Sequence, residues 1–593
     1  MADLSSLGNL RHALATGQLT RRDLIKRATV LGVGATIGGT LLAACEDDGD
    51  DGEEVDDTAD AGQVDLDDAD DDDDDDDDTV ADEPDDHVDD EDHDDEDPDD
   101  SDDADDDEPT GDRVDRITVG IGADALTLMP TAIVDWTTGI MISHIYDRTV
   151  NYDPDDNFAV GAWLCTIEVI DDLTWEMQLV DDNIQFHNGE VLTAEHFKVL
   201  LEWVQDEANE SHYLERFQPV EDIEVIDDLT WRVTTSEPFP IFPTRLVALE
   251  PVPLEYWEEV GDDELANNPV GTGPFMFNEW VRDERLLLDR NPDYWKHDVQ
   301  VDQVEFRFMP EFSSRLSSLL AGEIQIVKDV PIDALDTVED NDEARIESIP
   351  SSRVNYVALV NNREGSVFED VRVRQAINYA VDVDAIIDGI FQGEATKMAG
   401  CLSEVNANVN PDIEPYPYDP DRALELLEEA GVDPNELEIT MDAPQGRYPM
   451  DADAAQAIAA ELGRIGITVN VQFNEWGTHL DKIVNRETGD MFYLGWGPAL
   501  EAQGTIEFLF TGDSTYSGYG DPELEEMIFD AGRTVDPDEA QEKWDEIQEI
   551  IHEDAGWLFL WQQHDIYGVA ENVEFTPRAD EFMWMGDAGP RNS

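Results

Sequence analysis

A single acidic segment decides which part of this chain can form a hydrophobic core. Residues 46–112 contain no Lys or Arg and include an unbroken run of aspartates from Asp70 to Asp78. Like charges repel along such a segment, and it has too little apolar surface to offset the chain entropy lost on folding. We therefore predict a disordered acidic tether over 46–112. The remaining 113–593, about 480 residues, are enough for two lobes rather than one core.

The residues before this tether have the pattern of an export signal. Arg21 and Arg22 stand before a glycine-rich apolar run (28–42), which leads into Ala-Ala-Cys45. This pattern indicates a twin-arginine signal peptide with a lipobox over 1–45 and a lipid on Cys45. An uncleaved membrane anchor is the alternative, but the run has about 15 residues and a span needs about 20. We expect the protein at the cell surface, anchored to the outer face of the cytoplasmic membrane.

The net charge of −111, from 145 Asp+Glu against 34 Lys+Arg, indicates the solvent in which the protein works. At 1 M salt the Debye length is only about 3 Å, so dense surface carboxylates stop repelling one another. We predict a halophilic protein, with an acidic mesophilic protein as the alternative. The same charge argues against nucleic acid as a partner, because phosphates would be repelled.

The sequence contains few residues suited to catalysis or metal binding. Besides Cys45 there are two cysteines; Cys165 lies in an apolar strand-like context that predicts a small buried thiol, with a Cys165–Cys401 disulfide as the alternative. His187 and His196 have no third ligand nearby in sequence, so we expect solvated or capping histidines. No metalloprotease, nucleophile-elbow or P-loop pattern is present. The sequence predicts no enzyme, no catalytic residue, no metal and no cofactor.

From residue 113 onward, strand and helix patterns alternate, which predicts an α/β chain. A first strand is predicted at 116–121, and two hairpins, 169–180 and 223–234, share the turn Asp-Asp-Leu-Thr-Trp. A helix is predicted over 193–204, with Thr193 as its N-cap. The further predicted helices are 313–321, 369–380, 420–430, 451–465, 521–532 and 537–553, and the further predicted strands are 302–308, 354–360, 437–442, 467–473 and 491–494.

Several motifs occur in the order of one known family. Residues 186–190 read Phe-His-Asn-Gly-Glu, 268–275 read Asn-Pro-Val-Gly-Thr-Gly-Pro-Phe, 290–295 read Arg-Asn-Pro-Asp-Tyr-Trp, and 371–382 read Val-Arg-Val-Arg-Gln-Ala-Ile-Asn-Tyr-Ala-Val-Asp. With these motifs, over essentially all of 113–593, the chain resembles the peptide/nickel (family 5) class of extracytoplasmic solute-binding proteins of ABC importers, of a haloarchaeal lipoprotein type.

The Gly-Thr-Gly-Pro turn within these motifs also has a physical interpretation. The turn is tight: Gly271 and Gly273 permit positive φ, and Pro274 ends it.

The resemblance implies a two-lobed periplasmic-binding-protein-like fold with an extra subdomain in the first lobe. The boundaries that it implies are 113–355 for the first lobe, about 146–250 for the extra subdomain, 356–562 for the second lobe and 563–593 for the return to the first lobe. Hinge crossings are expected at 355–359 and 558–561. Such a fold closes on a ligand, and a membrane permease recognises the closed form. We expect a monomer that binds a small peptide or another small solute.

The resemblance places the ligand site around 441–501 in the second lobe. Trp476 and Trp496 match the two tryptophans that line the ligand cavity in the family. Peptide-binding members carry an aspartate three residues after the second tryptophan, where this chain has Ala499. Glu501 is the nearest carboxylate and is the candidate partner for a ligand ammonium, since a buried ammonium needs an anion.

Three further residues are candidates for this site. Arg447 and Arg486 are candidate contacts for a ligand carboxylate, with surface ion pairing as the alternative for each. Tyr516 lies on a loop and is a further cleft candidate.

The sequence therefore predicts an importer receptor that captures oligopeptides or dipeptides. Ala499 also fits a ligand without a free amino terminus, so an oligosaccharide or a metal chelate is the alternative within the same architecture. A sensory solute receptor is a second alternative, and a hydrolase is a weak third.

Overall fold

The computed structural model describes residues 113–591, apart from 134, 155–157, 210, 498–499 and 512–513. The predictions for Arg21, Arg22, Cys45 and the acidic tether lie outside the described residues, as does Ala499. Within the described part of the chain, none of the helices combines the length and the apolar character that crossing a bilayer requires.

Nineteen strands are assigned in the described ranges. In chain order they are β1 (Ile117–Ile121), β2 (Val150–Asp153), β3 (Ala159–Ala162), β4 (Cys165–Asp171), β5 (Thr174–Leu179), β6 (Val220–Asp227), β7 (Thr230–Thr235), β8 (Phe275–Val281), β9 (Arg285–Arg290), β10 (Gln303–Phe308), β11 (Ile326–Lys328), β12 (Ala344–Leu359), β13 (Ala395–Lys397), β14 (Glu438–Pro444), β15 (Thr468–Asn474), β16 (Met491–Trp496), β17 (Trp557–Ala570), β18 (Val573–Glu574) and β19 (Gly589–Pro590).

The α-helices of the same ranges are numbered in chain order as well. They are α1 (Trp136–Ile142), α2 (Ala194–Gln205), α3 (Phe242–Leu246), α4 (Leu254–Val260), α5 (Asp262–Asn267), α6 (Phe312–Leu320), α7 (Leu335–Glu339), α8 (Val371–Ala380), α9 (Val383–Ile390), α10 (Pro420–Ala430), α11 (Asp451–Arg464), α12 (Trp476–Val484), α13 (Phe508–Phe510), α14 (Pro522–Ala531) and α15 (Pro537–Glu553).

One large mixed sheet runs through the fold in the order β15-β14-β16-β12-β17-β11-β1-β10-β9-β8, with β13 also paired to β17. The two long strands at its centre, β12 and β17, are antiparallel and pair from Ala344↔Ala570 to Ala358↔Trp557. On one side β16 pairs with the end of β12, and on the other side β11 pairs with the end of β17. These two strands therefore join both sides of the sheet.

Separate hydrophobic cores lie on the two sides of this central pair. One core is built from residues of 117–326 together with C-terminal residues of 567–588. The cores on the other side are built from residues of 354–561. We call the parts around these cores the first and the second lobe. The α/β prediction is confirmed, and the C-terminal residues join the first lobe.

The two predicted hairpins form a separate four-stranded sheet in the order β4-β5-β7-β6. On β7, Trp231 and Val233 alternate with less buried residues and face the core. Phe197 of α2 stacks on Trp231, with the ring centroids 5.3 Å apart. This sheet lies inside the 146–250 range predicted for the extra subdomain, whose boundaries stay a prediction.

The Gly-Thr-Gly-Pro turn is shaped by close packing rather than by unusual backbone angles. Gly271 and Gly273 do not use the positive φ that glycine permits, since neither residue lies in the left-handed region. A Cβ at Gly273 would lie 2.6 Å from the carbonyl oxygen of His144, and one at Gly271 would overlap that of Ile145. Glycine is required here because two backbone segments touch.

The cysteines are buried in the cores, and the two histidines form hydrogen bonds within the fold. Cys165 and Cys401 are both buried and free, so the disulfide alternative is wrong. They belong to the cores of different lobes, and burial raises the pKa of each thiol to about 12. His196 forms a capping box with Thr193 at the start of α2, as expected for a capping histidine. His187 contacts the Gly273 carbonyl oxygen through Nε2 at 3.0 Å.

Candidate ligand-binding site

Three parallel strands of the second lobe have their carboxyl ends at the same end of the sheet. β14 is parallel to both β15 and β16, so Pro444, Asn474 and Trp496 end their strands on the same side of the sheet. In open α/β sheets, ligands bind in the crevice outside the carboxyl ends of the strands. The segments that follow these strands carry Arg447 and Trp476, together with Trp496 and Glu501 from the third strand and its loop.

The loop after β14 is held by one buried carboxylate. Asp451, at the start of α11, accepts hydrogen bonds from the backbone N–H groups of Gly446 (2.9 Å), Arg447 (2.8 Å) and Tyr448 (3.1 Å). An anion at a helix N-terminus is also favoured by the helix dipole. The Tyr448 hydroxyl donates to the Gly495 carbonyl oxygen at 3.0 Å, which ties this loop to β16.

Arg447 and Trp476 lie together at this end of the sheet. The exposed Arg447 guanidinium is 5.1 Å from the Trp476 ring centroid and 5.0 Å from that of Tyr448. Trp476 is the first residue of α12, where the Glu475 carboxylate accepts from the Gly477 N–H at 3.0 Å. The site thus has a partly exposed indole with a cation beside it.

Three half-buried aromatic rings form a wall next to the end of β16. Trp496 stacks on Phe508 with centroids 4.8 Å apart, and Tyr516 lies 5.8 Å from Trp496 and 5.6 Å from Phe508. The loop that carries Tyr516 is fixed by the Tyr356 hydroxyl, which donates to the Tyr516 carbonyl oxygen at 2.8 Å. Burial raises the pKa of the Tyr516 phenol to about 12, so this hydroxyl stays neutral.

Glu501 lies where the second lobe touches the first. The preceding residue, Leu500, packs against Phe158 and Ala579, which belong to the first-lobe side of the chain. Burial raises the pKa of the Glu501 carboxyl, whereas the charge of Arg245 and backbone N–H groups, including that of Gly504, act in the opposite direction. Glu501 is therefore a deep carboxylate that keeps some accessible surface at the boundary between the lobes.

Arg245 is a functional candidate that the sequence did not reveal. It lies on the short helix α3 of the first lobe and interacts electrostatically with Glu501 across the lobe boundary. No local sequence pattern marks it, since only the tertiary fold brings these two residues together.

Five of the six predicted side chains lie at or beside the carboxyl ends of β14, β15 and β16, and the sixth does not. Arg486 follows the carboxyl end of α12, with φ of 58°, and its carbonyl oxygen accepts from Arg363 at 3.5 Å. Arg486 comes before the first residue of β16, whereas Trp496 is its last residue, so the two lie at opposite ends of this strand. A group of three or more His, Cys, Asp or Glu side chains able to hold a metal is absent from the described residues.

Comparison with protein families gives one extended match. The family described as "Bacterial extracellular solute-binding proteins, family 5 Middle" matches residues 161–517, which is more than half of the chain.

Curated relatives match over most of their length. The glutathione-binding protein GsiB of Pectobacterium atrosepticum is 27% identical over 461 residues, covering 74% of this chain and 87% of GsiB. GsiB of Escherichia coli K12 is 26% identical over 463 residues, covering 75% and 88%.

Solved structures show the same fold. The periplasmic binding protein DppA from Helicobacter pylori, in complex with peptide STSA, has a TM-score of 0.62 at 25% identity, covering 81% of this chain and 99% of that chain. The substrate-binding protein CtaP from Listeria monocytogenes has a TM-score of 0.72 at 22% identity, covering 81% and 99%. HbpA2 from Haemophilus parasuis has a TM-score of 0.71 at 21% identity, covering 80% and 100%. The prediction of a two-lobed periplasmic-binding-protein-like α/β fold is confirmed.

Proposed function

Because this chain belongs to the bacterial extracellular solute-binding proteins of family 5, we propose that it is the receptor of an ABC importer that captures short peptides between its lobes. The proposal rests on the arrangement at the carboxyl ends of β14–β16, where an aromatic wall stands near the Glu501 carboxylate. The names of its relatives agree: GsiB is a glutathione-binding protein, and the Helicobacter pylori DppA was solved with a peptide.

Each side chain of the site has a defined task in this proposal. Trp496, with Phe508 and Tyr516, packs against ligand side chains of varied shape, because flat aromatic rings give large contact area without demanding one partner. Glu501 pairs with the ligand α-ammonium, and Arg447 beside Trp476 contacts a side-chain carboxylate of ligands that carry one. Arg486, at the other end of β16, has no role in the proposed site.

Lobe closure is proposed to act through the two central strands. β12 and β17 connect the lobes, and the expected hinge segments 355–359 and 558–561 lie within them. A small rotation about this pair would open and close the cleft, and the closed form would be presented to a membrane permease. The proposed lobe boundaries are those given by the sequence.

The amino-terminal predictions complete the proposal. A twin-arginine signal with Arg21 and Arg22 would export the protein, a lipid on Cys45 would anchor it, and the 46–112 tether would hold a monomeric receptor at the surface of a halophilic cell.

The test is to identify what the protein carries. The full chain is purified from a halophilic host at molar salt and denatured, and the released molecules are identified by mass spectrometry. A mixture of short peptides is expected. A single sugar or metal chelate would overturn peptide as the ligand and leave the family assignment intact.

A matched control separates bound from adventitious peptides. A variant carrying both Trp496→Ala and Glu501→Gln is purified in the same way. It should release far less peptide, and equal amounts from both proteins would mean that the peptides do not come from this site. A sensory receptor would bind the same ligands but would not support uptake in cells that carry the permease.

A further inference from the structure

Three first-lobe side chains near Glu501 have no task in the proposed function. They are Arg148, just before β2; Tyr152, on β2; and Arg245, on α3. All three are partly accessible although they lie deep between other parts of the protein.

Arg148 is held in place without a carboxylate partner. One of its terminal nitrogens donates to the Asn151 Oδ1 at 2.9 Å, and its guanidinium lies 3.9 Å from the Phe582 ring centroid. Its Nε is buried and has no hydrogen-bond acceptor among the described residues. Glu250 and Asp580 act on its charge, but neither forms an ion pair with it within 4.0 Å.

Arg245, like Arg148, lacks a carboxylate partner among the described residues. Its Nε is also buried without an acceptor in the described part of the chain, and no carboxylate described there lies within ion-pair distance of it. Glu501 and Glu507 of the second lobe are close enough to act on its charge. Burial lowers the pKa of both Arg148 and Arg245, the direction expected when a cation lacks an anion.

Tyr152 links the two arginines to Glu501. Its phenol interacts electrostatically with Arg148, Arg245 and Glu501. Its ring packs on the cluster of Phe158 and Leu500, which joins the two lobes. The Tyr152 phenol is therefore close to both guanidinium groups and to the boundary between the lobes.

Three other deep arginines of this protein have anionic partners, whereas the buried Arg315 donates to the backbone carbonyl oxygens of Met309 and Pro310. Arg353 contacts Glu581 at 3.3 Å, Arg374 contacts Asp554 at 2.7 Å, and Arg578 contacts Asp580 at 2.6 Å. The chain has 145 acidic against 34 basic residues, so carboxylates to pair with arginines are abundant. Leaving a buried charge unpaired is costly. Two deep arginines without an ion pair among the described residues therefore leave room for an anion that those residues do not supply.

We propose that Arg148, Arg245 and the Tyr152 hydroxyl form a subsite for a carboxylate of the bound ligand, facing Glu501 across the cleft. A zwitterionic ligand would then place its ammonium on the second lobe and its carboxylate on the first, and would stabilise the closed form by bridging the lobes. This inference rests on the proposed peptide-receptor function and adds the charge pattern of its ligand.

The test uses trialanine as a free acid and as the C-terminal amide. Equilibrium dialysis at molar salt measures the binding of each form to the full chain and to R245Q, R245K and the control R422Q. Arg422 is a half-buried arginine on α10, far along the chain from Glu501. The wild type and R422Q should bind the free acid at least about ten-fold more tightly than the amide, the scale of a charged hydrogen bond. R245Q should lose this preference, and R245K should keep part of it, since lysine retains the charge but not the planar fork.

Other binding results would contradict either the carboxylate subsite or the peptide-receptor proposal. Equal binding of acid and amide by the wild type would overturn the subsite while leaving the peptide receptor intact. A full preference for the acid in R245Q would also overturn it. Binding of neither form would overturn the peptide proposal and the subsite with it. Thermal melting reports folding, and if R245Q does not fold, an unchanged preference in R245K would overturn the assignment.

Discussion

The Trp496 indole stacks on the Phe508 ring with centroids 4.8 Å apart and an angle of 21° between the planes. Trp496 is the last residue of β16, and Phe508 begins α13, so the contact fixes the end of a strand against a separate helix. Both rings remain half-buried. The aromatic wall of the site is thus assembled by the fold, with one face left open.

The first prediction concerns this wall. Trp496→Ala should weaken peptide binding by about 1–3 kcal/mol, because it removes a large apolar contact surface and the stack on Phe508. Isothermal titration measures the loss. Trp203→Ala, which removes a half-buried ring from α2, is the control for general destabilisation. An equal loss of affinity in both variants would exclude a specific role for Trp496.

The second prediction concerns Glu501. Glu501→Gln should weaken binding of peptides with a free amino terminus by about 2 kcal/mol, since the ligand ammonium loses its anion. Binding of N-acetylated peptides should change little. Glu436→Gln, at an exposed position of the second lobe, is the control. Unchanged affinity in Glu501→Gln would remove this residue from the site.

The pH dependence of binding follows from the same carboxyl. Burial raises the pKa of Glu501, and an ammonium ligand binds its ionised form. Affinity should therefore fall as the pH is lowered through this raised pKa and recover as the pH rises. Titrations at several pH values should show this dependence in the wild type and a weaker one in Glu501→Gln. Parallel pH profiles would contradict the assignment.

The third prediction concerns the loop that carries Arg447. Asp451→Ala leaves three backbone N–H groups of the loop without their acceptor, so unfolding should become easier by roughly 2–4 kcal/mol. Hydrogen exchange over 446–448 should accelerate, because these N–H groups donate to Asp451. Asp453→Ala, exposed in the same helical turn, should have a small effect on both measurements.

The fourth prediction concerns the glycine turn. Gly271→Ala should destabilise the fold by about 3 kcal/mol, since its Cβ would lie 2.7 Å from the Ile145 carbonyl carbon and 2.9 Å from the Tyr146 ring. Gly389→Ala on α9 meets no atom within 4 Å and should be neutral or stabilising by about 0.5–1 kcal/mol. Thermal unfolding of the two variants would show similar changes if glycine were needed only for backbone freedom.

The fifth prediction concerns a buried acid. Burial raises the pKa of Glu250 to about 7, with Arg148 and Arg216 opposing the rise and Tyr146 and Tyr213 nearby. Between the ordinary carboxyl pKa and this value, the folded protein holds a proton that the unfolded chain has released. The free energy of unfolding should therefore fall as pH rises through this window, by up to roughly 3 kcal/mol.

The measurement compares thermal melting of the wild type and Glu250→Gln from pH 4.5 to 8. The difference between the two curves isolates this group from the other carboxylates of an acidic protein. Glu255→Gln, exposed on α4, is the control. A constant difference across the pH range would show that Glu250 does not titrate in this window.

Elements with local signals were predicted well from the sequence. Helices 420–430 and 537–553 match α10 and α15, and each begins with an Asp-Pro pair whose carboxylate caps the first turn. Such caps are visible in a few residues. β12 is longer than the predicted 354–360, because Pro350 and two serines interrupt its pattern and its pairing comes from the distant β17.

The residues of the candidate site also fall into those with a local sequence signal and those without one. Trp476 comes soon after β15 and Trp496 ends β16, so the local strand pattern and the family motifs suffice to put both near the ends of these strands. Their contact with a ligand stays a prediction. Arg245 could not be predicted, since only the tertiary fold brings Glu501 and Tyr152 close to it. Arg148 is close to Tyr152 in the sequence, but no local pattern marks either residue. Arg486 shows the converse: it is close to Trp496 in sequence and at the opposite end of β16 in space.

The pairing of β12 with β17 also sets the order in which the protein can be completed during synthesis. A ribosome makes β12 first, then the whole second lobe, and only then β17 and the C-terminal residues that fill the first-lobe core. A nascent chain that ends before Trp557 leaves the edges of β11 and β12 without a partner, and such open edges promote aggregation. The lobe that is begun first is therefore finished last, and release of the full chain determines when folding can end.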